Sequence, residues 1–230
     1  MPHPSRPRRA LQLALALLTS AAAHAAVRPD PQGPWQLVMQ RPDEHIDIYT
    51  RAMDGTNIKE FRAETVVDSS LSALVAATSD FPHLVDWMPH VARVTAVQTL
   101  SPSHVKAYVV IHSPWPLHDR DTFIDARVSQ DPQTGVVTVS SHSIAGGKGL
   151  QSGCVRMPEM DTDWTFIPLG AHRVKVILRG FGLPGGIVPD WAANLVITEL
   201  PYGSLKHLPA EIRLPAYRQA HFSDIVEPSH

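Results

Sequence analysis

Residues 172–212 read HRVKVILRGFGLPGGIVPDWAANLVITELPYGSLKHLPAEI, and the change of rhythm inside them decides the fold. From His172 to Phe181 every second residue is apolar, the period of a strand with one buried face. After Gly185-Gly186 the period lengthens to that of a helix. Trp191, Leu195 and Thr198 share one helical face, and Leu205, Leu208 and Ile212 form a second segment beyond Pro201, where a break is expected. Between strand and helix, Gly180-Phe181-Gly182-Leu183-Pro184-Gly185 matches GxGxxG. A dinucleotide site needs a parallel strand after that helix and an acid about 20 residues on. Here only a helix and a short tail follow, and Pro184 removes a donor from the loop that would cradle phosphate. A plain strand-to-helix turn is the better reading.

Working upstream, period two continues. Strands are expected at Val91–Leu100, His104–Ser113, Arg120–Gln130, Val136–Ile144, Cys154–Pro168 and His172–Phe181. Connections such as Ser101-Pro102-Ser103 and Leu169-Gly170 are short, which implies an antiparallel meander. Phe81–Pro89 forms a compact turn or short helix. Asp68-Ser69-Ser70 is an N-cap cluster, and Leu71, Leu74, Val75 and Thr78 follow on one helical face. Ile46–Arg51 and Ile58–Val67 are two strands joined at the Asp54-Gly55 hairpin signal. Pro34–Gln40 is expected as a short helix with proline in its first turn. Helices kept apart from an antiparallel sheet make the class α+β. A sheet of this size must curve, and the terminal helix is the element long enough to cover it, an arrangement that leaves a cavity.

The termini and composition bound the rest. Met1–Arg9 carries Arg6, Arg8 and Arg9 with no acid, Ala10–Ala23 is apolar, and Ala23-His24-Ala25 fits a cleavage site. Residues 1–25 therefore read as a signal peptide, which places the protein in the periplasm or outside the cell. Residues 26–33 are a flexible lead-in, 34–215 the domain and 216–230 a tail. With 20 Lys+Arg against 22 Asp+Glu, the net charge of −2 gives no reason to expect nucleic acid as a partner. The single cysteine, Cys154, excludes an internal disulfide and a zinc site built on paired cysteines.

Few residues announce chemistry. The 13 histidines form no HExxH, and His83/His90 and His112/His118 lack metal-ligand spacing, so no metal is expected. There is no GxSxG elbow, and Cys154 reads as a small strand hydrophobe. Ala145–Gly153 is either a flap or a hairpin loop. Pro114-Trp115-Pro116-Leu117-His118-Asp119-Arg120-Asp121 is the most unusual stretch. Two prolines force a corner, and in the strand beyond it Arg120 falls on the apolar face with Thr122, Ile124 and Ala126. A guanidinium aimed inward needs an acid, a carbonyl or a ligand's polar head. An ion pair with Asp119 or Asp121 and a ligand-facing role both remain open. Trp87, Tyr108 and Trp191 lie where a dry cavity lining would be.

These motifs, in order, give the chain its likeness. Ile46–Arg51 with Lys59-Glu60-Phe61-Arg62, Asp86-Trp87-Met88, Pro114-Trp115-Pro116 with Arg120-Asp121, and Gly153-Cys154-Val155-Arg156 come first. Trp164 with Pro168, and Gly185-Gly186-Ile187-Val188-Pro189 with Trp191 and Asn194, complete the set. The chain resembles the START lipid-transfer domain family, of the helix-grip superfamily related to the birch-pollen allergen. The resemblance implies a curved antiparallel sheet gripping a long C-terminal helix around an apolar tunnel, with no metal or cofactor. It further implies a lipid or lipid-like partner, transient membrane contact, and Arg120 near the tunnel's polar end. Joined to the periodicity, it gives the ligand-binding set Trp87, Tyr108, His112, Arg120, Ile124, Leu178, Trp191, Asn194 and Leu195. The alternative on the same scaffold is a polyketide cyclase or hydrolase-like enzyme, with His112, His142 or Asp125 as its acid or base.

Overall fold

The structure is a computed structural model that describes residues 29–146 and 152–228. The expected signal peptide and part of the Ala145–Gly153 loop fall outside these residues. Within them run strands β1 (Pro31–Arg41), β2 (Ile46–Met53), β3 (Lys59–Asp68), β4 (Val91–Ser101), β5 (His104–Ile111) and β6 (Asp119–Gln130). They are followed by β7 (Val137–Ser143), β8 (Cys154–Arg156), β9 (Glu159–Pro168) and β10 (Arg173–Leu183). The helices are α1 (Leu71–Ser79), α2 (Leu84–Trp87), α3 (Asp190–Glu211) and α4 (Pro215–Arg218). Nine strands form one antiparallel sheet in the order β1-β2-β3-β10-β9-β7-β6-β5-β4, and β8 pairs parallel with the start of β6. The class is α+β: a curved sheet, open between its edge strands β1 and β4, with α3 gripped against one face.

Alternation sorts the two faces. Ile48, Ala63, Ala107, Ile124, Val139, Phe166, Val176 and Leu178 are buried on the inner face. They form one core with Leu71 and Leu74 of α1 and Leu205 and Leu208 of α3. Ser70 caps α1 by accepting from the Ala73 amide at 3.1 Å. On the outer face Glu60 is fully buried between Arg51 and Arg179, each within 2.5 Å of a carboxylate oxygen. The ring of Trp35 covers Arg51 at 4.4 Å.

Four expectations change. Pro34–Gln40 lies inside β1 rather than a helix, because the free edge of β2 offers it a ladder of backbone bonds. Pro34 is tolerated there because an edge strand needs donors on one side only. The expected strand Cys154–Pro168 is broken at Met157-Pro158: proline cannot donate to the ladder, and β8 and β9 pair with different partners. Pro201 does not break the terminal helix, which runs from Asp190 through Pro201 and Pro209 to Glu211. The side chain at Pro201 is buried, so packing holds the helix across the missing amide. The expected tail also belongs to the fold: Tyr217 and Ile225 are buried, and Glu227 accepts from the Leu71 and Ser72 amides at 2.8 Å.

Candidate ligand-binding site

Between the sheet and the first half of α3 lies a cavity enclosing about 820 Å³ of open space, part of it continuous with solvent. Its construction follows from side-chain size. Ala192, Ala193, Val196, Ile197 and Leu200 form one helical face over the space, and the two alanines leave room that larger residues would fill. The opposite wall comes from Phe61 of β3, Met160 and Thr162 of β9, and Phe181 and Gly182 of β10. Ile111, Ser113, Pro114, Leu117 and Arg120 close the end formed by the β5–β6 corner, and Met157, Pro184 and Val188 come from neighbouring turns.

Glycines let the backbones approach here. A Cβ at Gly180 would stand 2.7 Å from the Asp161 carbonyl oxygen, and one at Gly185, where φ is +65°, 2.5 Å from that of Arg156. The GxGxxG spelling thus serves strand crowding and a turn.

Arg120 is the one charged side chain among the described residues of the wall, and it is 6% exposed. Its Nε donates to the Pro184 carbonyl at 3.2 Å, and its Nη1 donates to the His118 carbonyl and to Ser113 Oγ at 3.4 Å. Neither expected ion pair forms. Asp121 lies on the outer side of β6, where Arg156 Nε meets it at 2.8 Å and Tyr108 Oη donates to it at 2.7 Å. Asp119 accepts from the Ser113 amide and from His112, both at 3.0 Å. Burial pushes the Arg120 guanidinium below its ordinary pKa, with Asp119 opposing. The bond to Asp121 raises that of Arg156.

Of the expected ligand-binding set, Arg120 lines the cavity. Trp87 packs in the core against Trp164, ring centroids 6.1 Å apart. Ile124 and Leu178 are on the inner face, buried in that same core, and do not line the cavity. Tyr108 is on the outer face, its ring against Phe123. His112 is 65% exposed on the surface. Trp191, Asn194 and Leu195 belong to α3, and their side chains are outside the described ones. From α3, the described residues that line the cavity are Ala192, Ala193, Val196, Ile197 and Leu200.

The residues proposed for an enzyme reading are also elsewhere. Asp125 pairs with His104 and Arg127, and the His104 bond leads in holding its carboxyl below the usual range. His142 pairs with Asp161 at 3.1 Å. None of His112, His142 and Asp125 lines the cavity. Burial and then the charges of Asp121 and Asp119 hold the Cys154 thiol above its ordinary pKa, which disfavours the reactive thiolate. No group of three or more His, Cys, Asp or Glu among the described residues is arranged to hold a metal ion.

No protein-family model matches the chain. An uncharacterized protein of Pseudomonas aeruginosa is 24% identical over 176 residues, covering 76% of this chain and 84% of that one. Among solved structures, the STAR-related lipid transfer protein (fragment 25–204) of Xanthomonas axonopodis superposes with a TM-score of 0.70 at 28% identity, covering 79% of this chain and 99% of its own. The human StarD13 lipid transfer and protein localization domain gives 0.66 at 18% identity, covering 80% of this chain and 91% of that one. Human STARD10 gives 0.68 at 17%, covering 80% and 76%. With its strand order, its gripped terminal helix and these neighbours, the chain has a START-like helix-grip fold.

Proposed function

We propose that the protein binds a single lipid, or a similarly apolar molecule, between the sheet and α3 and carries it between membranes outside the cytoplasm. The observation that carries this reading is the cavity itself, whose wall, among the described residues, is apolar apart from Ser113, Arg120 and Thr162. Sequestering an alkyl chain there gains about 0.8 kcal/mol per buried methylene. The likeness to a bacterial STAR-related lipid transfer protein supports the same class of ligand.

Transfer requires contact with a bilayer. Trp115 and Ile187, 89% and 95% exposed, sit beside the lining residues Pro114 and Val188 on two separate segments of the rim. Tryptophan suits the membrane interface, and the pair would bring the opening to the lipid. Location outside the cytoplasm rests on the basic, apolar and small-residue pattern of residues 1–25.

The test is native mass spectrometry of the purified protein, followed by solvent extraction of what leaves it. One apolar molecule per chain is the expected result. Chains that stay empty when exposed to lipid vesicles would overturn the reading.

A further inference from the structure

The charge balance of the cavity narrows the ligand class. Arg120 is almost wholly buried, and among the described residues no carboxylate lies within ion-pairing distance of it. Both neighbouring acids are engaged elsewhere: Asp119 with His112 and the Ser113 amide, Asp121 with Arg156 and Tyr108. Three of the five guanidinium N–H groups can be matched to the acceptors around it, the carbonyls of Pro184 and His118 and the hydroxyl of Ser113. The two on Nη2 meet no acceptor among the described residues. A buried cation whose direct bonds all go to neutral acceptors is only partly balanced by the more distant charge of Asp119, and desolvation makes that arrangement costly. A carboxylate or similar anion offers two parallel acceptors to such a fork and neutralises it. Apart from Ser113 and Thr162 the rest of the wall is apolar, and among the described residues it offers no acid to repel one.

We infer that the ligand is an anionic amphiphile, a single alkyl or similarly apolar body ending in a carboxylate-like head that meets Arg120. This rests on the proposed binding of an apolar molecule in the cavity and adds the identity of its head. A neutral lipid would leave the guanidinium only partly balanced, and an amine head would face it with like charge.

The test is titration of delipidated full-length protein with dodecanoic acid, dodecanol and dodecylamine at neutral pH, read by displacement of a fluorescent alkyl probe. The acid is expected to bind at least about tenfold tighter than the alcohol, with the amine weakest. Arg120→Met should reduce the ratio of acid to alcohol affinity to about one. Arg120→Lys, which keeps the charge without the fork, should retain part of the preference. The comparison of head groups on the unaltered protein stands by itself if a variant fails to fold. Equal binding of acid and alcohol, or a preference for the amine, would overturn this inference and leave apolar binding intact. Failure of all three probes to bind would count against the proposed function itself.

Discussion

The first turns of α3 hold Ala192, Ala193, Val196, Ile197 and Leu200 over open space, whereas the turns beyond Pro201 press Leu205, Leu208 and Ile212 into a filled core. One helix lies on one sheet, so the difference must come from side-chain size and from how closely the backbone is held. At the filled end, Gly203 lets the helix approach Pro89 so closely that a Cβ would stand 2.3 Å from the proline ring. At the open end, paired alanines meet a wall that does not reach them. The contrast teaches that the cavity is a local shortfall of volume on an otherwise packed scaffold, which the anchored end can sustain.

Truncations on the two halves should break that symmetry most strongly. Leu208→Ala removes a fully buried side chain and should cost about 2–5 kcal/mol. Leu200→Ala borders space that is already open and should cost about 1 kcal/mol or less by the same reasoning. Denaturant unfolding of both variants measures the gap. Equal losses would mean that the cavity collapses in solution.

A smaller effect is expected at the anchor. Gly203→Ala should destabilise the protein by about 1–3 kcal/mol through overpacking on Pro89, although alanine is the better helix former by about 1 kcal/mol. A thermal melt that rises instead would show that the helix does not seat there.

The smallest effect concerns the seal of the filled end. Tyr217 Oη donates to Asp80 Oδ2 at 3.0 Å. Burial first, then this bond, pushes the phenol from 10.0 up to about 12. The folded chain therefore holds the proton more tightly than the unfolded chain. The stabilisation is complete below pH 10 and is lost as pH rises towards 12. Tyr217→Phe should cost about 1 kcal/mol at neutral pH and remove this part of the alkaline loss. Unfolding followed from pH 8 to 12 reads both.

Much of this architecture was legible from period alone, including the inward place of Arg120, because parity along one strand survives whatever the strand pairs with. Parity between strands does not. Ala107 pairs with Ile124 on the inner face, so Tyr108 and its partner Phe123 face outward, and only the register shows this. Trp87 signalled bulk correctly, but Trp164 claimed it for the core. Ala192 and Ala193, which line the cavity, were not singled out because large apolar groups on α3 drew attention away from them. In a cavity, small residues are the signal. β1 escaped because its pattern suits a helix as well as a strand, and the vacant edge of β2 decided the matter.

The central claim is that the space beneath the first half of α3 is the ligand's place. Two substitutions on that helix test it most directly: Ala193→Phe, which fills the cavity, and Ala210→Phe on the exposed surface near its end. Each is titrated with a pyrene-tagged alkyl chain beside a thermal melt. Unaltered protein and Ala210→Phe should bind one probe per chain, and Ala193→Phe should melt as a folded protein yet bind none. Undiminished binding by a folded Ala193→Phe would contradict the account.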